Sequence, residues 1–153
     1  MPSDPQTDPD QPLVRLLYTS RATPECLADL QGGIDALLAT AQRHNPEHQI
    51  TGALVAHKGW FIQVLEGPED EVHGLFRKIC LDERHCSANL VSEGPVETRD
   101  FAHWSMCARQ LSSLDARILA ELDRNAAFDP ADLPESQIME LLHAVAAASA
   151  RTS

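Results

Sequence analysis

Positive charge is scarce in this chain: 12 Lys and Arg stand against 23 Asp and Glu, a net charge of -11. Nucleic acid and anionic membrane both demand a basic surface, so neither is expected as a partner. Long apolar runs are missing too. None approaches the roughly 18–20 residues that a membrane span needs. The opening stretch, MPSDPQTDPDQP, is acidic and proline-rich without an apolar centre. It does not read as a signal peptide, and a cytoplasmic location is expected.

Paired cysteines are likewise lacking. Cys26, Cys80, Cys86 and Cys107 show no C-x-x-C and no regular spacing, which speaks against a disulfide framework or a cysteine-rich zinc site. Reduced thiols that pack as small apolar groups are the expectation. The histidines at 44, 48, 57, 73, 85, 103 and 143 are scattered and accompany no nucleophile motif. His44 and His48 are four apart, but Pro46 between them is expected to break the helix that would bring them together. No metal site is expected. There are no internal repeats and no low-complexity block.

What remains is 153 residues with 43% hydrophobic side chains, enough for one domain with a proper core. Residues 1–11 have nothing to bury and are expected to be disordered. Leu13–Ser20 reads as a strand with Val14, Leu16, Tyr18 and Ser20 on one face. Leu30, Ile34, Leu37, Leu38 and Ala41 form a helical stripe reaching Asn45. Gly32-Gly33 weaken its start, so regular helix is expected only from about Ile34. Pro46 should push Asn45 out of the α region and end the helix.

Thr51–His57 and Trp60–Glu66 read as a hairpin turning at Lys58-Gly59, with Gly67-Pro68 as its stop. Glu69–Leu81 reads as a second helix with Val72, Leu75, Phe76 and Ile79 inward. Strands are expected at about Asn89–Glu97 and Phe101–Ala108. Two terminal helices should follow: one carries Leu114, Ile118 and Leu122, and the other opens at the capping box Asp132-Leu-Pro-Glu135. The order β-α-β-β-α-β-β-α-α predicts an α+β, ferredoxin-like sandwich. Its mixed five-stranded sheet has two helices on one face and two C-terminal helices on the other.

The polar outliers sit on this frame. Gln63 shares a strand face with Phe61 and Leu65, and an unsatisfied buried amide costs about 1–3 kcal/mol. It is either bonded to backbone, on a face that is solvated, or turned toward a ligand pocket. Tyr18, Ser20, Asn45, Trp104 and Met106 taken singly also have ordinary readings, as packed aromatics, a helix cap and gap filler.

Together their motifs resemble the BLUF family, blue-light sensors that use a flavin. The matching text is LLYTS at Leu16–Ser20, RHN at Arg43–Asn45, ITGALV at Ile50–Val55, FIQVLEGPEDEV at Phe61–Val72, DERH at Asp82–His85 and RDFAHWSM at Arg99–Met106. The resemblance spans about residues 13–110. It implies a non-covalent flavin between the two main helices, normally FAD, with FMN or riboflavin left open.

By that likeness Tyr18 donates an electron and a proton, and Gln63 bridges the tyrosine hydroxyl and the flavin edge. Asn45 bonds the ring, His44 flanks it, and Leu37 and Ile79 sandwich it. Lys78 and Asp82 fall on the ribityl and phosphate side. Arg84 and His85 are equally readable as solvated surface. Lys78 stands where relatives often carry arginine, which loses bidentate geometry. Ser20, Trp104 and Met106 complete the photoactive set, with either Trp104 or Met106 facing the pocket.

The resemblance implies a photoreceptor, with residues 12–110 as the flavin domain, 111–150 as a helical cap and 151–153 as a tail. It is expected to lack enzymatic output, to assemble with copies of itself and to signal through another protein. The alternatives are a flavin-dependent oxidoreductase on the same scaffold and a protein-binding module without flavin.

Overall fold

The computed structural model describes residues 12–24, 28–57, 59–81, 85–102, 106–110 and 135–152. Its centre is β1 (Leu13–Ala22), where the consecutive run Leu16, Leu17, Tyr18, Thr19 and Ser20 is buried, so that both faces of the strand are covered. Val14, Leu16 and Tyr18 enter one apolar cluster, and Leu17 enters a second on the opposite side. That split is the period-2 geometry of a strand.

β1 pairs antiparallel with β3 (Trp60–Pro68) and with β4 (His85–Pro95). β2 (Thr51–His57) pairs antiparallel with β3 and parallel with β5 (Cys107–Gln110). The sheet is therefore mixed and five-stranded, in the order β4-β1-β3-β2-β5. The β2–β3 turn uses Gly59 at φ 82, a conformation glycine adopts without steric cost.

Close approach matters at Gly52 in β2. A Cβ there would lie 2.1 Å from the Val64 carbonyl oxygen of β3, so only glycine lets the two strands sit at this spacing.

Helix α1 (Leu30–His44) begins earlier than its two glycines suggest. The Asp29 carboxylate accepts the Gly32 amide at 3.1 Å, and the Asp29 carbonyl accepts Gly33. The cap offsets the low propensity of the glycines. It also explains Gly32, where a Cβ would fall 2.2 Å from that carboxylate.

The other end corrects a second expectation. Asn45 stays α-helical at φ -66, ψ -38 although Pro46 follows, and a single 3₁₀ turn, Pro46–His48, continues the path. The chain reverses instead at Gln49, φ 61. His48 and Ile50 amides both bond the Asn45 carbonyl, at 3.1 and 2.9 Å. These bonds outweigh the local preference against the α region before proline.

β3 runs through Gly67 to Pro68, which itself opens helix α2 (Glu69–Cys80). α2 carries Glu69, Asp70 and Glu71 in its first turn and Arg77 and Lys78 in its last, matching the helix dipole. β4 starts at His85, earlier than read from sequence. β5 starts at Cys107, and Phe101 precedes it outside any strand.

The first cluster packs Ile34, Leu37, Leu38 and Ala41 of α1 and Val72, Leu75, Phe76 and Ile79 of α2 on one sheet face. The second packs Ile138, Leu141, Leu142, Val145 and Ala146 of α3 (Glu135–Thr152) on the other, with Ile62, Val64 and Phe101. The expected helix carrying Leu114, Ile118 and Leu122 lies outside the described residues, as does the start of the Asp132 capping box.

Candidate functional site

Register brings the two reactive side chains together. Tyr18 of β1 is the direct cross-strand partner of Gln63 in β3, and such pairs hold their Cβ atoms about 4.5–5.5 Å apart. The Tyr18 hydroxyl donates a hydrogen bond to Gln63 Oε1. The other end of the amide, Nε2, donates to Met106 Sδ at 3.4 Å. Leu54 flanks Gln63 from β2. Gln63 is 8% exposed and Tyr18 3%, so the pair lies almost out of solvent and its geometry is set by protein neighbours.

These side chains floor a cleft of about 850 Å³, measured out to its mouth, between α1 and α2. Leu37, Leu38 and Ala41 wall it from α1, and Leu75 and Ile79 from α2. The apolar walls with a few polar groups between them match what small-molecule sites look like.

Polar groups occur at defined places. Asn45 is fully buried at the end of α1, with His44 beside it. Thr40 lies one turn earlier and bonds the Ala36 carbonyl at 3.0 Å. Lys78 stands exposed in the last turn of α2, where it lines the cleft. Tyr18 also meets Phe76 of α2, with ring centroids 5.2 Å apart.

His44 and His48 are not separated by Pro46. The 3₁₀ turn keeps the chain winding, so their rings stack at 4.1 Å with 18° between planes. His44 Nδ1 lies 3.3 Å from Asn45 Oδ1, and His48 Nδ1 pairs with Glu71 of α2. The stack thus links the end of α1 to the start of α2. Among the described residues no group of three or more His, Cys, Asp or Glu is arranged to hold a metal.

The residues singled out from sequence divide as follows. Tyr18, Leu37, His44, Asn45, Gln63, Lys78, Ile79 and Met106 all line the one cleft. Ser20 is fully buried, opposite Phe61, and is not among the lining residues. His85 opens β4 opposite Ala22. Trp104, Asp82 and Arg84 lie outside the described residues. Met106 is the one of the Trp104–Met106 pair that the structure describes, and it faces the pocket.

Sequence reasoning passed over Leu38, Thr40, Leu54, Phe61 and Leu75 as lining residues. Leu38 and Leu75 were visible as members of apolar stripes. Thr40 sits four residues before His44, the spacing that puts two side chains on one helix face.

A flat heteroaromatic ring fits this donor set. Apolar walls suit its faces, and buried amides on Asn45 and Gln63 suit an edge that carries both donors and acceptors.

Comparison with known proteins gives a consistent result. The family model described as "BLUF: Sensors of blue-light using FAD" matches residues 13–107. The photoactivated adenylate cyclase subunit beta of Euglena longa is 38% identical over 99 residues, covering 63% of this chain and 11% of that protein. The chain thus spans about a tenth of the curated cyclase subunits it matches. Among solved structures, BlsA in its photo-activated state superposes with a TM-score of 0.75 at 28% identity, covering 88% of this chain and 94% of that one. The dark-state structure of BlrB, titled a BLUF protein, superposes at 0.71 with 30% identity, covering 91% and 98%.

Proposed function

This chain belongs to the BLUF family, and on that premise we propose that it is a blue-light receptor whose switch is the Tyr18–Gln63 hydrogen bond. The observation that carries the reading is that bond itself, buried at the floor of an apolar cleft and continued to Met106. The family's cofactor is a flavin, and FAD is the form we propose. Leu37 and Ile79 would hold it from either side, Asn45 and Gln63 along its polar edge, and Lys78 near anionic groups at the mouth. Asp82, Arg84 and His85 are kept as candidates for that outer end.

When bound, the flavin supplies absorption of blue light and an excited ring that accepts an electron and a proton. Tyr18 holds the transferable proton on a hydroxyl already aimed at Gln63 Oε1. Gln63 is the group that reorients. Its amide offers an acceptor at one end and a donor at the other, so turning or tautomerising it exchanges what the surrounding groups meet. The side chains that wall the cleft keep water from competing for these bonds. Met106 feels the change directly and lies at the entrance to β5. Trp104 is the proposed second participant there, and Ser20 a supporting neighbour of Tyr18.

We assign the sensing unit to residues 12–110, a helical cap to 111–150 and tails to 1–11 and 151–153. Likeness to BlsA and BlrB over nearly their whole length supports a sensor without a catalytic domain of its own within these residues. Its output would pass through a protein partner, with a homo-oligomer as the working assembly and the cytoplasm as its place. No described helix is long and apolar enough to cross a membrane.

The test is spectroscopic. Protein purified from flavin-replete cells should be yellow, shift slightly red under blue light and recover in darkness. Tyr18→Phe and Gln63→Leu should keep the flavin and lose the shift; an intact photocycle in either sinks the mechanism. Turnover of an added substrate driven by a nicotinamide cofactor would favour the oxidoreductase reading, and a colourless folded protein the binding module. Pull-downs in light and dark would identify the partner.

A further inference from the structure

Two charged residues in the family motifs, Glu66 and Arg99, do not line the cleft. Glu66 follows Gln63 by three positions, so its side chain leaves the opposite face of β3. It is fully buried. A buried carboxylate is expensive unless it is paired and hydrogen-bonded, and this one is. Its oxygens accept the Asp100 amide at 2.9 Å, the Phe101 amide at 2.8 Å and Arg15 Nε at 3.0 Å.

The same loop returns a side chain. Arg99 Nη2 donates to the Gln49 carbonyl at 2.7 Å, and Nη1 to the Glu66 carbonyl and the Thr51 hydroxyl, both at 2.9 Å. Burial lowers the Arg99 pKa below its ordinary value while nearby Glu66 opposes the shift, and a guanidinium stays charged at neutral pH.

Three segments meet here. The first is the Asn45–Gln49 turn, whose last carbonyl swings toward Arg99 because Gln49 is left-handed. The second is the end of β3, where Gly67 is needed: a Cβ there would lie 2.8 Å from that same Gln49 oxygen. The third is the loop 99–101, which leads toward Met106.

We propose that Arg99 is a positioning residue for the light-sensing site, holding Asn45, Gln63 and Met106 in mutual register from the far side of the sheet. One planar fork spans the turn that carries Asn45 and the strand that carries Gln63. The adjoining amides, gripped by Glu66, set where the Met106 segment arrives. The inference rests on the reading that these three side chains address the flavin. It adds that their spacing is controlled from outside the pocket.

The test uses the full chain and reads the side-chain amide resonances of Asn45 and Gln63 by NMR in the dark, alongside dark recovery after blue light. Arg99→Lys keeps the charge, but its single ammonium cannot reproduce the fork. Both amide resonances should move and the recovery rate should change at least threefold. Val91→Ala, a truncation packed at the second cluster, lowers stability and should leave both readouts in place.

Amide resonances at wild-type positions in Arg99→Lys would overturn the proposal. If that variant fails to fold, Thr51→Val removes one partner of Arg99 and should move the same resonances less; unmoved resonances there would overturn it equally. A wild-type chain that never shifts under light would instead defeat the photoreceptor reading, leaving the amide comparison to judge Arg99 by itself.

Discussion

At Gln63 the two ends of one amide meet partners of unequal strength. Oε1 accepts a hydrogen bond from the Tyr18 hydroxyl, whereas Nε2 has Met106 Sδ at 3.4 Å, and a thioether is a weak acceptor. Most of what holds the amide in place therefore comes from its oxygen end. Different stability losses should follow when each partner is removed. Tyr18→Phe leaves a buried carbonyl oxygen without this donor and should cost about 1–3 kcal/mol. Met106→Leu conserves volume and loses only the sulfur contact, so it should cost less than about 1.5 kcal/mol. Urea denaturation of the two variants against wild type measures both; equal losses would mean that the sulfur holds the amide as firmly as the hydroxyl does.

At the scale of elements, two glycines of opposite meaning can be told apart by what a side chain would meet. Gly52 binds β2 to β3 so closely that Gly52→Ala must push the strands apart. About 3 kcal/mol should be lost, the upper end for overpacking, with the Leu54–Gln63 pairing loosened next to it. Gly74 lies inside α2 with open space where a Cβ would stand. Gly74→Ala should stabilise by roughly 0.5–1 kcal/mol, because alanine loses less backbone freedom on entering a helix. Thermal melting of both variants should move in opposite directions. A destabilised Gly74→Ala would mean that α2 needs its flexibility or bends there. β1, β2, β3 and helices α1 and α2 were readable from periodicity, since alternation and the three-to-four spacing are local properties, whereas β5, expected over Phe101–Ala108, runs from Cys107 to Gln110. The start of β4 at His85 was not readable either, because pairing with Ala22 of β1 extends it and nothing in its own residues announces that partner.

At the scale of the molecule, one sheet separates two cores with different tasks. The α1–α2 side is opened by the cleft, while the α3 side is filled by Ile138, Leu141, Leu142 and Val145. A cofactor that binds only the folded chain stabilises it by mass action, about 2.7 kcal/mol when present at a hundred times its dissociation constant. Stripping the flavin should therefore lower the melting temperature, and adding FAD should restore it; a melting temperature indifferent to flavin would argue that the cleft does not hold it. α3 docks through specific contacts as well as apolar ones. His143 stacks on Phe101 with ring centroids 4.8 Å apart and lies 3.4 Å from Asp100, while Ser92 of β4 bonds Glu135 at 2.9 Å. Since Phe101 and Asp100 also give their amides to Glu66, α3 touches the loop that β3 holds. His143→Ala should release that contact and speed amide hydrogen exchange in α3, with little change in the α1–α2 side.

The sequence by itself determined the α+β frame and, for β1 to β3, which residues share a face, because side-chain alternation is written along the chain; Tyr18, Gln63 and Asn45 stood out through the likeness of their motifs to the BLUF family. Tertiary structure alone decided that Met106 receives the Gln63 amide and that His44 stacks on His48 past a proline. It also decided that Asn45 remains helical and that Arg99 closes on Gln49 and Glu66. Each of these depends on bonds between residues that only the fold brings together, 43 positions apart for Gln63 and Met106, or on a turn stabilised by bonds that outweigh its own local preference. Such energies belong to pairs of residues, and a one-dimensional pattern carries no trace of the second member.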